Sequence, residues 1–153
     1  MKIIFGLGSN LGNKEAYLQA GCDLLQEKLL LRNIKKSQIL QNKAMLLPNS
    51  PQEWDVDFLN IALSSDIDFK NFPPLKILEI IKEIEVLIGR EERAKWAPRE
   101  IDIDILAIED LKIKLGEKLL IPHVGLFKRD FFYKTFLEIE PELFKKLKLI
   151  FDK

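Results

Sequence analysis

The residues whose types and spacing suggest chemistry most strongly lie between Trp96 and Leu106, in the run W-A-P-R-E-I-D-I-D-I-L. Ile101, Ile103 and Ile105 alternate with Asp102 and Asp104. A period of two predicts a strand with both carboxylates on one face. Leu106 and Ile108 continue the aspartate side as apolar positions, so both faces of this strand are expected to be covered. Acids at i and i+2 sit roughly 6.6 Å apart along the backbone, so their oxygens can converge on one point. Two carboxylates in a half-buried place repel, and a divalent cation relieves the repulsion; hard oxygen ligands suit Mg²⁺. Such a pair can also bridge two ions about 4 Å apart, the arrangement used for phosphoryl displacement. Arg90, Arg93, Lys95 and Arg99 come just before the acids. Cations beside an acid pair make sense where a strongly anionic group lies between them, and a nucleotide polyphosphate is such a group. Spacing alone describes at least as well a solvated basic loop whose arginines pair with the aspartates.

The elements that must position these residues can be taken in chain order. Lys2 to Leu7 reads as a short apolar strand, and Gly8 to Gly12 as a turn in which Asn10 or Asn13 can cap a helix. No phosphate-binding G-x-x-x-x-G-K-[ST] loop is present. Asn13 to about Leu29 is an amphipathic helix, with Cys22 on its apolar face. Asn33 to Gln41 reads as a strand. Residues 42–54 form a loop with Pro48, Asn49, Ser50 and Pro51 as turn formers and Met45, Leu46, Leu47 and Trp54 as apolar members. A loop of this length is either packed on itself or a lid. Val56 to Leu63 is a strand in which Asn60 breaks an apolar line. Pro73-Pro74 opens a helix that runs to Ile88 and stops at Gly89. Asp110 to Leu120 reads as a hairpin turning at Gly116. Phe132 to Leu137 continues a helix, and Pro141 starts a last amphipathic one.

The composition bounds the possibilities. A chain of 153 residues, 47% hydrophobic and 31% charged, fits one globular domain spanning 1–153. A net charge of zero argues against broad nucleic-acid binding and against an acidic membrane surface. One cysteine allows no intrachain disulfide and no thiolate metal cage. The longest apolar runs are too short for a signal peptide or a membrane span, which leads us to expect a cytoplasmic protein. His123 is the only histidine. Alone, it is more often structural than functional.

The run G-R-x-x-R-x-K-W-A-P-R-x-I-D-I-D-I-L resembles the signature of the 6-hydroxymethyl-7,8-dihydropterin pyrophosphokinases of folate biosynthesis. F-G-L-G-S-N-L-G at the N-terminus, D-F-L-N at Asp57–Asn60 and I-P-H-x-x-x-x-x-R-x-F at Ile121–Phe131 are similar to the same family, in the same order. Four ordered matches are more specific than any one. The resemblance implies transfer of pyrophosphate from ATP to the pterin hydroxymethyl group, giving AMP and the pterin diphosphate. It implies Asp102 and Asp104 as ligands of two Mg²⁺ ions, with Asp102 also near the pterin. Arg90 and Arg99 would neutralise the phosphates, assisted by Lys95 and Arg129. Glu85, Arg93, Trp96, Ile105, Leu119, Leu120 and His123 would line the nucleotide. Phe58, Asn60, Trp96 and Phe131 would bind the pterin, Phe131 by stacking.

The chain departs from that family at Leu40–Lys43, where pterin contacts cannot be carried over, and at Lys95, Ala97 and Val124. Its basic loop is also one residue shorter than in some members. The element order β-α-β-β-α-β fits an α+β, ferredoxin-like split βαβ fold: an antiparallel sheet with helices on both faces and extra C-terminal helices. The expected partners are the two small substrates, with neither nucleic acid nor membrane, and the chain is expected to be monomeric. Two other classes of reading are a non-catalytic ferredoxin-like binding module and a single-strand nucleic-acid binder. Zero net charge and apolar residues on both strand faces oppose the second.

Overall fold

The structure, a computed structural model, describes residues 1–152. The chain runs β1 (Lys2–Ser9), α1 (Lys14–Leu29), β2 (Arg32–Lys36), β3 (Leu40–Asn42), β4 (Phe58–Asp66), α2 (Pro74–Ile88) and β5 (Asp102–Ile108). A small hairpin follows, β6 (Ile113–Leu115) and β7 (Leu119–Ile121), and then α3 (Asp130–Ile139) and α4 (Pro141–Phe151). The main sheet is antiparallel in every pairing, with the order β2-β4-β1-β5 and β3 on the same edge of β4 as β2. No helix among the described residues is long and apolar enough to cross a membrane.

The sheet has a layer of helices on each face. Leu18, Cys22, Leu25 and Leu29 of α1 and Ile77, Ile81 and Ile84 of α2 pack against Ile3, Phe5, Leu7, Ile103 and Ile105. Phe132 and Phe136 of α3 and Phe144 and Leu147 of α4 cover Ile4, Leu106 and Ala107 on the other face. Each buried aliphatic side chain contributes about 2 kcal/mol of hydrophobic stabilisation. Burial in the first layer pushes the Cys22 thiol up to about 11, which leaves it an inert core residue.

Asn13 caps α1 by accepting from the Ala16 N–H at 3.2 Å, and Gly89 ends α2 in the left-handed conformation at φ 117°.

Three local expectations are corrected. β1 continues through Gly8 to Ser9, because Gly8 and Ser9 pair with Asn60 and Leu59 of β4. The single strand expected over Asn33–Gln41 is two strands: at Ser37 the side-chain Oγ accepts from the Ala62 N–H and so replaces a backbone rung. Ile108 does not share the aspartate face. The β1–β5 register shifts at Leu106, so that Ile4 faces Ala107 while Phe5 faces Ile105. This bulge turns Leu106 and Ala107 to the α3–α4 side and sends Ile108 to the other core.

Candidate functional site

β5 brings its two acids to one face as the alternation requires, and each acid opens on a different cavity. Asp102 lines a cavity of about 130 Å³ with Gly6, Gly8, Asn42, Met45, Phe58, Asn60, Trp96, Arg99, Arg129 and Phe131 among its walls. Asp104 lines a larger one of about 640 Å³ with Leu75, Leu78, Lys82, Ile105, Leu119, Leu120, His123 and Val124. A third, of about 220 Å³, lies within the basic loop and is walled by Arg90, Arg93, Lys95 and Arg99.

The smaller cavity is built on the floor of the sheet. β1 presents Gly6 and Gly8 there, and a side chain at either would fill the space. A Cβ on Gly8 would stand 2.8 Å from Asn60 Oδ1, and one on Gly6 would stand 3.2 Å from the Phe132 ring. Asn60 is almost fully buried; its amide donates to the Leu40 carbonyl at 3.2 Å and to the Asn42 side chain. Phe131 packs edge-on to Phe132, with ring centroids 4.7 Å apart. Aromatic walls beside amide groups suit a flat ring with a polar edge.

The cations meet the acids directly. Arg90 Nη1 lies 2.9 Å from Glu85 and 3.0 Å from Asp102, and Arg99 Nη1 lies 3.1 Å from Asp102. The plainer ion-pair arrangement that the spacing allowed is therefore present. Burial nonetheless pushes the Asp102 carboxyl above its ordinary value, against the pull of Arg99 and Arg90 and with help from Asp104. Glu85 is buried; its second role is to accept the Ile103 N–H at 3.0 Å, which fastens α2 to the start of β5.

His123 is oriented rather than loose. Its Nδ1 accepts from the Gly125 N–H at 2.9 Å, so the neutral ring carries its hydrogen on Nε2, which stands 3.6 Å from Asp104. Its own N–H donates to the Leu106 carbonyl at 2.9 Å, and its ring meets Phe132 edge-on at 4.9 Å.

The donor set facing the acids fits a hard divalent cation. It consists of two carboxylates on one strand face, with no soft ligand beside them. No group of three or more His, Cys, Asp or Glu able to hold a metal exists among the described residues. A cation there must complete its shell with water or substrate oxygens, as Mg²⁺ does.

Of the residues singled out in the sequence, Phe58, Asn60, Trp96, Arg99, Asp102, Arg129 and Phe131 meet at the smaller cavity. Asp104, Ile105, Leu119, Leu120 and His123 meet at the larger. Glu85, Arg90, Arg93 and Lys95 line neither, and Arg129 stands with Phe131 rather than with His123. Sequence reasoning missed Gly6, Asn42 and Met45. It also missed Leu75 and Leu78 of α2.

Asn10 was missed as well. Its Oδ1 accepts from the Arg99 N–H at 2.9 Å, its own N–H donates to the Arg99 carbonyl at 3.2 Å, and its Nδ2 donates to the Val56 carbonyl at 3.1 Å. One buried amide thus ties the ends of two loops to β1. Its position between two glycines and ahead of a helix was the available signal, and that signal pointed to capping.

Comparison with known proteins points to one family. Residues 4–141 match the family model described as 7,8-dihydro-6-hydroxymethylpterin-pyrophosphokinase (HPPK). A 2-amino-4-hydroxy-6-hydroxymethyldihydropteridine pyrophosphokinase of Aquifex aeolicus is 39% identical over 92% of this chain and 81% of its own length. A folate synthesis bifunctional protein of Chlamydia muridarum is 35% identical over 95% of this chain, which spans only 32% of that protein. The fold is similar to that of a Plasmodium falciparum HPPK-DHPS crystallised with pterin and p-hydrobenzoate. The TM-score is 0.64 at 18% identity, covering 99% of this chain and 46% of that one.

Proposed function

The chain belongs to the 7,8-dihydro-6-hydroxymethylpterin-pyrophosphokinase family, and from that premise we propose that it transfers pyrophosphate from ATP to 6-hydroxymethyl-7,8-dihydropterin. The observation that carries this reading is the placing of the acids: Asp102 opens on a small aromatic and amide-lined cavity, and Asp104 on a larger apolar one. Two substrates seated on either side of β5 would meet at its aspartates.

In this reaction the pterin hydroxyl oxygen forms a bond to the β-phosphorus of ATP. The bond between that phosphorus and the oxygen bridging to the α-phosphorus breaks, and AMP leaves with the bridging oxygen. Negative charge moves along the phosphate chain, so positioning and fixed positive charge are the main demands on the protein. Arg99 and Arg90 supply forked donors at the acid strand. Lys95 adds charge from the loop, and Arg129 adds it from the start of α3. Asn60 and Phe58 hold the pterin edge, while Phe131 and Trp96 wall its ring. Ile105, Leu119 and Leu120 receive the adenine. The orientation of His123 presents its Nε2 hydrogen to a phosphate oxygen. Among the described residues, Asp102 is the acidic side chain that lines the smaller cavity; no dedicated general base is assigned, and the pKa of the hydroxyl would be lowered by a bound metal. Mg²⁺, two ions with ATP, would be held by Asp102 and Asp104 and supplies charge neutralisation on the phosphate oxygens when bound.

The proposal includes the finer topology. An order of β2-β4-β1-β5, with helices between β1 and β2 and between β4 and β5, supports the ferredoxin-like split βαβ reading. It also takes 1–153 as one pyrophosphokinase domain, monomeric and cytoplasmic. The test is nucleotide chromatography after incubation with ATP, Mg²⁺ and the hydroxymethyl-dihydropterin. AMP that depends on the pterin, and that disappears with Asp102→Ala and with Asp104→Ala, is the expected result. ADP in place of AMP would mean attack on the terminal phosphorus, and no turnover would end the enzyme reading.

A further inference from the structure

Within the basic loop, one arginine is turned away from the acid pair. Arg93 forks onto Glu100, with Nη1 2.5 Å from Oε1 and Nη2 3.1 Å from Oε2. The Glu100 side chain is only 10% exposed. These two residues are the two ends of the segment 94–99, which carries Lys95, Trp96 and Arg99. A bidentate pair between them closes the base of that segment as a clasp would.

The segment needs closing. Trp96 holds φ at +72°, in the left-handed region that bulky residues avoid. Such a conformation persists only where the surroundings over-determine it. Beyond the clasp, the ties lie within the segment or at its Arg99 end: the Ala97 N–H donates to the Ala94 carbonyl at 3.0 Å, Asn10 holds both backbone groups of Arg99, and the Arg99 guanidinium reaches Asp102 at 3.1 Å and the Ala97 carbonyl at 3.3 Å. None of these fixes the Arg93 end. The Arg93–Glu100 pair does, and Trp96 between them lines the smaller cavity.

The geometry points to Glu100 as a positioning residue that acts through Arg93 to hold residues 94–99 and the Trp96 ring in place for the pterin. The inference rests on the proposed reaction for its substrate, but the clasp itself does not. Arg93 then serves the site as a strut; its role is not that of a phosphate ligand. The bond also shapes both groups, holding the Glu100 carboxyl below its ordinary value.

The test starts from Trp54→Phe protein, in which Trp96 is the sole tryptophan because the chain has two. Adding Glu100→Gln should raise acrylamide quenching of Trp96 roughly twofold and speed tryptic cleavage after Lys95 about tenfold, as the loop populates open states. The swap Arg93→Glu with Glu100→Arg should bring both readouts back toward the parent. In turnover assays Glu100→Gln should raise KM for the pterin about tenfold and change kcat by less, while KM for ATP stays near the parent's. Unchanged quenching and cleavage in Glu100→Gln would overturn the inference. So would failure of the charge swap to restore them, or a rise in KM for ATP with Arg93→Gln that Glu100→Gln does not share. Quenching and cleavage need no substrate. If they respond while no AMP forms, the clasp stands and the pyrophosphokinase reading falls.

Discussion

Two loops border the smaller cavity, and they are held in different ways. Residues 90–99 are fixed at several points by ion pairs and by one long-range clamp. Arg90 joins Glu85 and Asp102, Arg93 joins Glu100, Arg99 joins Asp102, and Asn10 clamps the Arg99 backbone. Residues 42–54 contribute Asn42 and Met45 to the same cavity, but their ties are mostly internal. Ser50 bonds back to Leu47 and Trp54 to Pro51, and Leu47 remains 57% exposed. Beyond β3, this loop has no ion pair among the described residues. The contrast separates two tasks. For the proposed reaction, the charge-bearing loop would be held in place for the phosphates, as electrostatic catalysis requires, and the apolar loop would have room to adapt to what enters.

Breaking the anchored side should have the largest effect. Asp104→Ala and Arg99→Ala should each lower kcat by about a thousandfold while leaving the melting temperature close to that of the parent. Steady-state assays beside thermal melts check this; equal losses of stability and activity would deny the division of tasks. Next comes Asn10→Ala, which removes two side-chain bonds of a buried amide and should lower unfolding free energy by about 2 kcal/mol in denaturant titrations. Leu47→Ser probes the adaptable side. It should leave stability within about 0.5 kcal/mol and alter KM for the pterin more than kcat. Amide exchange gives the same contrast without mutation: residues 44–50 should exchange faster than 97–102.

The smallest effect is a control placed away from both loops. Glu140 accepts from Ser64 Oγ at 2.7 Å and faces Lys2 and Lys35 at 3.2 and 3.3 Å. Burial pushes its carboxyl up, but the Ser64 hydroxyl and the two lysines outweigh that and hold it below the ordinary glutamate value. A carboxyl lowered by folding stabilises above its unfolded pKa, and that contribution is lost as pH falls through the folded one. Glu140→Gln should therefore lessen the loss of stability in acid titrations and leave turnover at neutral pH unchanged.

The sequence made the acid strand legible because its signal is local: isoleucine and aspartate alternate, and the pleat does the rest. The hairpin at Gly116 and the stop at Gly89 were legible for the same reason. What escaped was set by partners far along the chain. Asn10 looked like a helix cap, yet its bonds reach residues 46 and 89 positions away. The bulge at Leu106 depends on register with β1, and no period within β5 records it. Ser37 divides a strand only because its hydroxyl finds Ala62. Leu78 sits on the apolar side of its helix, and nothing within that helix records that Leu119 and Leu120 of β7 share the larger cavity with it. Arg93 was legible as a cation, but its direction was not, because that depends on Glu100 being folded back beneath it.

In the proposed reaction two substrates meet across β5, and the bond is made at the middle phosphorus of the nucleotide. ATP labelled at its β-phosphorus tests this directly when incubated with the protein, Mg²⁺ and the hydroxymethyl-dihydropterin. The label should leave the nucleotide and appear in the pterin product, with unlabelled AMP left behind. Label retained in ADP would place the attack on the wrong phosphorus and contradict the assignment of the two cavities.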